Sequence, residues 1–195
     1  MRLKPSSKKL PDFVNSVTKT VKKPVRLFFQ DEARFGKICQ VRKVWLPKGE
    51  RSVVEAQHIR QYLYAYSTME PKTGESVSLI LPYADTACMT LFLQELSERY
   101  PADEIVLVLD GAGWHRSGGL VVPANIRLVC LPPYSPQLNP VEQLWKGIRT
   151  RFFGNAYFET LDAVEAHLVK TLRWVEANTA WVKSFAYFPY IQHAI

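Results

Sequence analysis

Three acidic residues stand where a folded chain could bring them together. Asp31 follows the apolar run LFFQ, Asp110 follows IVLVL, and Glu142 begins a helix-like pattern after the proline-rich stretch PPYSPQLNP. Carboxylates with no Cys or His cluster beside them suit Mg²⁺, which takes oxygen ligands and keeps several of its waters. Two such ions can activate a water or a 3′-hydroxyl and stabilise the leaving oxygen of a phosphodiester. The three acids are therefore candidate metal ligands for chemistry at phosphate.

Each acid also has a structural interpretation. Asp110-Gly111 is an ordinary turn signal, and Asp31 could close its strand or pair with Arg34. Glu142 would be the third residue of a helix that Asn139 caps, which is the arrangement of a capping box. The residues alone leave these alternatives open.

The acids need strands and a helix to position them. Ile105 to Leu109 are five apolar residues in a row, and such a run predicts a strand buried on both faces of a parallel or mixed sheet. VRLFFQ (25–30) predicts a buried strand that ends before Asp31, and IRLVCLP (126–132) predicts a third. Because sites in α/β sheets gather at strand ends, we expect Asp31 and Asp110 to lie there.

The other elements complete an α/β pattern. Further strands are predicted at 38–46 and 58–68, and at SVSLILP after a turn at 70–75; further helices are predicted from Asp85 to about Tyr100, from Pro140 to about Phe152, and onward from near Thr160. Antiparallel strands followed by alternating helices and strands predict a mixed sheet.

The helix after the prolines has two distinct faces. Glu142, Lys146 and Arg149 share one face at spacings of four and three. An acid beside two bases fits a metal ligand next to phosphate-binding groups, and it equally fits a solvated ion-pair face. The apolar face is expected to pack on the core through Val141, Leu144, Trp145, Ile148 and Phe152.

Length and composition indicate one globular body. The chain has 195 residues, 47% of them apolar, which suffices for one sizeable core with appendages. No apolar run approaches the roughly 18 residues of a membrane span, and no apolar segment of a signal peptide follows the basic N-terminus. Cys39, Cys88 and Cys130 are far apart and form no CxxC, which predicts reduced thiols in a cytosolic protein and excludes a disulfide framework.

The positive charge is concentrated at the N-terminus. Residues 1–26 hold eight Lys and Arg and a single acid, so they account for the whole net charge of +7. We expect residues 1–24 to form a basic arm or linker, with at most one helical turn near Asp12 to Val17. Such arms often bind nucleic acid, and a merely solvated tail is the alternative.

Three segments together resemble a known family. FFQDEARFG, VLVLDGAGWH and LPPYSPQLNPVEQLW are similar to the three catalytic blocks of the DDE transposases, most of all to the bacterial insertion-sequence branch of the mariner-like superfamily. The third block is the most specific. The resemblance covers residues 25–158 and implies an RNase H-like fold with a mixed central sheet flanked by helices. It implies that Asp31, Asp110 and Glu142 are the catalytic triad and bind two Mg²⁺ or Mn²⁺ ions, and that the proline loop sets the start and direction of the third ligand's helix.

The resemblance also implies a substrate and partners. A protein of this family cuts DNA at the ends of a mobile element, at terminal inverted repeats, and joins the 3′ end to target DNA. We expect a homodimer in the bacterial cytoplasm, associated with the nucleoid when bound to DNA. Only about 24 residues precede the first catalytic strand, so a separate helix-turn-helix subunit could read the repeats. The expected DNA contacts are Lys8, Lys9, Lys22, Lys23, Lys146 and Arg149.

Some details of the resemblance are less complete. Many relatives have Asn where this chain has Gly111, and His115 matches a His that is frequent in the second block. His115 and Asn139 could lie next to the metal ligands and hold them in place without binding the metal. Residues 159–195 are expected to add a helix and tail packed on the catalytic domain. The alternatives are an RNase H-like nuclease without strand transfer, and an inactive remnant that binds DNA.

Overall fold

The strands formed by the described residues make one mixed five-stranded sheet. The computed structural model describes residues 10–38, 45–50, 59–112, 118–132, 136–186, 188 and 191. The strands are β1 (Val25–Gly36), β2 (Tyr62–Met69), β3 (Ser76–Leu81), β4 (Glu104–Leu109) and β5 (Ile126–Cys130). Their order is β3-β2-β1-β4-β5, with β1 antiparallel to β2 and parallel to β4. The predicted α/β class with a mixed sheet is confirmed.

Helices cover both faces of the sheet. They are α1 (Leu10–Thr20), α2 (Thr86–Arg99), α3 (Pro140–Phe152), α4 (Leu161–Ala177) and α5 (Thr179–Lys183). On β4, Val106 and Val108 belong to the core with α1, α3 and α4, whereas Ile105, Leu107 and Leu109 belong to the core with α2. Burial on both faces explains the continuous apolar run of this strand. None of the helices formed by the described residues is long and apolar enough to cross a membrane.

The helix α3 has the bounds that the sequence predicts. Asn139 caps it and Pro140 is its first residue, a position where the missing N–H of proline costs no hydrogen bond. Its apolar face is buried through Val141, Leu144, Trp145 and Ile148, while Phe152 is half-buried. Helix α4 begins near Thr160 as expected, and Thr160 caps it: the Ala163 N–H donates to Thr160 Oγ1 at 3.1 Å.

Two segments differ from the predictions. The expected arm contains the eleven-residue helix α1, which buries Leu10, Val14 and Val17. Apolar residues at spacings of four and three lie on one face of a helix. Here the pattern covers only three residues, and Lys and Ser surround it. Strand β1 does not end before Asp31 but continues to Gly36, because β2 pairs with it from Phe29↔Met69 to Gly36↔Tyr62. Most of the strand predicted at 38–46 lies outside the described residues.

Candidate active site

The register of the sheet brings Asp31 and Asp110 together. Strands β1 and β4 pair as far as Phe29↔Val108, and continuing that parallel register by two residues sets Asp31 beside Asp110. Adjacent strands lie about 4.8 Å apart. Phe29 and Val108 both contribute to the core under α3, so alternation places the side chains two residues later on that same face. The expected neighbours are therefore adjacent, although Asp31 lies within its strand.

The third acid, Glu142, acts on Asp31 electrostatically. The pKa of Asp31 is raised from 3.8 to about 8, first by burial and then by the negative charges of Glu142, Glu32 and Asp110. An ion pair with Arg34 would have lowered this pKa. Among the described residues no such pair is formed, because alternation along β1 puts Arg34 on the opposite face from Asp31.

The cap of α3 is formed by Asn139. The Val141 N–H donates to Asn139 Oδ1 at 3.1 Å, and the Glu142 N–H donates to the Asn139 carbonyl at 3.2 Å. A capping box would add a bond from the Asn139 N–H to the Glu142 carboxylate, and this bond is not formed among the described residues. The carboxylate of Glu142 lies instead near enough to Asp31 to raise its pKa.

Asp110 forms a side-chain turn at the end of β4 and also lies at the candidate site. It is exposed directly after β4, and its Oδ1 accepts the Ala112 N–H at 2.9 Å. This is the side-chain turn that the Asp-Gly signal predicts. The turn occupies one carboxylate oxygen and orients the group beside Asp31.

A cleft of about 810 Å³ opens beside the acids. It follows β1 beyond the end of its pairing with β4, and its lining includes Asp31, Glu32, Arg34, Phe35, Tyr62, Tyr64, Asp110, Arg149, Phe153 and Phe158. The Arg149 guanidinium carbon lies 5.2 Å from the centre of the Phe35 ring. Burial lowers the pKa of Arg149, while Glu142 and Asp31 act in the opposite direction. A half-buried cation thus stands among acids in an open cleft.

The donor chemistry fits a hard divalent cation, but the ligand cage is not closed. Among the described residues, no group of three or more His, Cys, Asp or Glu side chains is spaced to hold a metal ion. The charges of Glu142 and Asp110 nevertheless act on Asp31 and help to raise its pKa. Carboxylate oxygens are the ligands that Mg²⁺ prefers. It binds through a few of them and keeps several of its own waters.

The other predicted residues are distributed over the molecule. Lys146 is exposed on α3, one turn after Glu142. Lys22 and Lys23 are exposed after α1, and Lys23 Nζ donates to the Pro101 carbonyl at 3.2 Å. That position is at the amino end of β4, a six-residue strand, so these lysines are about 20 Å from Asp110 along the strand. Lys8, Lys9 and His115 lie outside the described residues.

Sequence reasoning missed part of the cleft lining. Arg34 lies over the Tyr62 ring, with 5.5 Å from its guanidinium carbon to the ring centre. The alternation of FFQDEARFG would have placed Phe35 on the face of Asp31. Tyr62 and Phe158 come from distant segments, and nothing in their local sequence indicates a place at the site.

Comparisons with known proteins match the fold and the family. The family described as DDE superfamily endonuclease matches residues 26–165. An uncharacterized protein, y4pE/y4sA of Sinorhizobium fredii (strain NBRC 101917 / NGR234), is 39% identical over 107 residues, covering 54% of this chain and 79% of that protein.

Solved structures show the same architecture. The catalytic domain of Mos1 mariner transposase matches with a TM-score of 0.58 and 10% identity, over 96% of this chain and 92% of that chain. A pre-cleavage Mos1 transpososome matches with a TM-score of 0.64 and 13% identity, over 97% of this chain but only 62% of the other. The fold is therefore RNase H-like, as predicted, and this chain spans about three fifths of the longer transposase. Because the family match covers most of the chain and includes Asp31, Asp110 and Glu142, the chain belongs to the DDE superfamily endonucleases.

Proposed function

We propose that this chain is the catalytic part of a DNA transposase, which cuts phosphodiester bonds at the ends of a mobile element and joins them to target DNA. The observation that carries the proposal is the register of β1 and β4, which sets Asp31 beside Asp110. The charge of Glu142, on α3, also helps to raise the pKa of Asp31. Like charges around the half-buried Asp31 are costly, and a bound metal ion would neutralise them.

Asp31, Asp110 and Glu142 would hold Mg²⁺ or Mn²⁺, as two ions. Bound there, the metal would activate a water or a 3′-hydroxyl and stabilise the leaving oxygen. The chain's part is geometric: two ligands stand on adjacent strands of a rigid sheet, and the third stands on a capped helix. Support comes from Mos1 mariner paired-end complexes, which are solved with Mn and with Mg.

Cations of the cleft would bind the DNA backbone. Arg149 lies among the acids, and Lys146 follows Glu142 by one exposed turn. These bases would hold a phosphate of the DNA backbone and orient it for in-line attack. Lys22 and Lys23, at the other end of β4, would contact a more distant part of the duplex together with Lys8 and Lys9.

The wider assembly follows from the same proposal. Mos1 structures contain a transposon end, and we infer DNA ends and target DNA as the partners of this chain, a homodimer as the active form and a helix-turn-helix subunit for reading the repeats. His115 would support the metal ligands or contact phosphate. The place of action is the bacterial cytoplasm, on the nucleoid.

A product analysis tests the function. DNA that carries candidate element ends, labelled inside the element on the strand whose 3′ end cleavage exposes, is incubated with Mn²⁺ or Mg²⁺ and unlabelled target DNA, with and without a helix-turn-helix partner. The proposal predicts metal-dependent cleavage followed by transfer of label to the target. Cleavage without transfer would indicate a hydrolytic nuclease, and binding without cleavage an inactive remnant. Asp110→Asn is the matched negative control, because it removes one charge and retains the shape.

A further inference from the structure

Helix α3 lies beside the part of β1 that β4 leaves unpaired, and two of its side chains bond to that strand. Asn139 Nδ2 donates to the main-chain carbonyl of Gln30 at 2.8 Å, and Arg149 Nη2 donates to the main-chain carbonyl of Arg34 at 3.4 Å. Ten residues of helix span about 15 Å, and four residues of strand span about 13 Å. The two lengths agree, so the helix runs alongside the strand and is attached near both ends.

The attachment through Asn139 is the stronger of the two. Its side chain is buried, with 2% exposed, and its 2.8 Å bond is much shorter than that of Arg149. The two partners also fix the orientation of the amide. The Val141 N–H can only donate, so it requires Oδ1, and the Gln30 carbonyl can only accept, so it requires Nδ2.

This bond connects residues that are close in the chain to two of the acids. Gln30 precedes Asp31, and the carbonyl of Asn139 accepts the N–H of Glu142. Along the chain, Asp31 and Glu142 are separated by more than a hundred residues. Through Asn139, two hydrogen bonds and a few covalent bonds connect them.

Capping alone does not require such a residue. Asp85 caps α2 by accepting the Cys88 N–H, and Thr160 caps α4 by accepting the Ala163 N–H. Each cap needs only an acceptor, which Ser or Thr supplies. At α3 the cap residue also donates to a neighbouring strand, and that second bond needs the length and the N–H of an amide.

From these contacts we infer that Asn139 is a positioning residue, which sets the place of Glu142 relative to Asp31 through its bond to the Gln30 carbonyl. The inference rests on the proposed metal site. Groups that orient metal ligands typically change metal affinity by about 10- to 100-fold when they are lost.

The test separates the bond to Gln30 from the cap. Asn139→Ser keeps an acceptor for the Val141 N–H but is too short to reach the Gln30 carbonyl, whereas Asn139→Ala loses both bonds. Thr160→Ala is the matched control, because it removes a cap from a helix that carries none of the three acids. Two quantities are measured: the Mn²⁺ affinity by calorimetry, and the backbone amide chemical shifts of the metal-free proteins by NMR.

We expect Asn139→Ser to bind Mn²⁺ at least about tenfold more weakly and to shift the amide signal of Asp31. Asn139→Ala should lose a similar factor, and Thr160→Ala should keep wild-type affinity. Wild-type Mn²⁺ affinity in Asn139→Ser, or equal weakening in Thr160→Ala, would overturn the inference and leave the metal site standing. Absence of Mn²⁺ binding to the wild type would instead refute the metal site, and the inference with it.

Discussion

Replacing Asp31 by Asn should stabilise the metal-free protein. Asn has nearly the same shape as Asp but carries no charge to be desolvated by burial or repelled by Glu142, Glu32 and Asp110. In the wild type the pKa of Asp31 is raised from 3.8 to about 8. Between these values the folded state keeps a proton that the unfolded state has lost, so the stability of the wild type falls as pH rises.

The size of the effect follows from the width of that window. Each pH unit between the two pKa values costs up to about 1.36 kcal/mol, so the penalty at pH 7 is at most about 4 kcal/mol. Asp31 is half-buried, and contact with solvent reduces such interactions. We therefore expect Asp31→Asn to exceed the wild type by roughly 1–2 kcal/mol at pH 7 and to match it near pH 4.

Urea unfolding in EDTA between pH 4 and pH 8 measures this difference. Glu165→Gln is a suitable control, because Glu165 is exposed on α4 and lines a groove by β3, away from the three acids. Its stability should follow that of the wild type at every pH. Equal stability of Asp31→Asn and the wild type at pH 7 would contradict both the burial of the Asp31 charge and its repulsion by the neighbouring carboxylates.

Three further predictions concern α3 and the N-terminal bases. Glu142→Gln should not lower the denaturant midpoint, because Asn139 caps the helix and one charge that repels Asp31 is removed. It should lose Mn²⁺-dependent cleavage, since an amide is a poor ligand for a hard cation; near wild-type cleavage would show that Glu142 is not a ligand. Changing Lys22 and Lys23 to Gln should reduce the slope of log binding constant against log salt concentration by at most about 1.8, because each phosphate contact contributes about 0.9 to that slope. An unchanged slope would show that these lysines do not contact DNA. Gly147→Ala should lower the free energy of unfolding by about 1–3 kcal/mol, because the added Cβ would lie 2.4 Å from the Phe185 ring; an unchanged midpoint, as expected for the exposed Lys146→Ala, would contradict the close packing.

The elements nearest the acids were the most predictable. The apolar run before Asp110 and the cap and proline before Glu142 each carry a local signal, and β4 and α3 have the expected character. The end of β1 had no such signal, because its residues 30–36 are held by β2, a strand about thirty residues away in the chain. Helix α1 was missed because its three buried residues lie among polar ones.

The site was predictable as a set of acids but not as a geometry. Local sequence indicates Asp31, Asp110 and Glu142, whereas the cleft takes Tyr62 and Phe158 from distant segments. The same limit applies to Asn139. Its role as a cap can be read from Asn-Pro, but its bond to the Gln30 carbonyl depends on how α3 packs beside β1. The position of Lys22 and Lys23, far from the acids, also follows from tertiary packing.

A calorimetric titration of Mn²⁺ tests the central claim most directly. We expect the wild type to bind Mn²⁺ and Asp31→Asn and Asp110→Asn each to bind it at least about tenfold more weakly, while both variants remain folded in the absence of metal. Wild-type affinity in both variants would show that these two acids are structural and that the chain holds no metal between them.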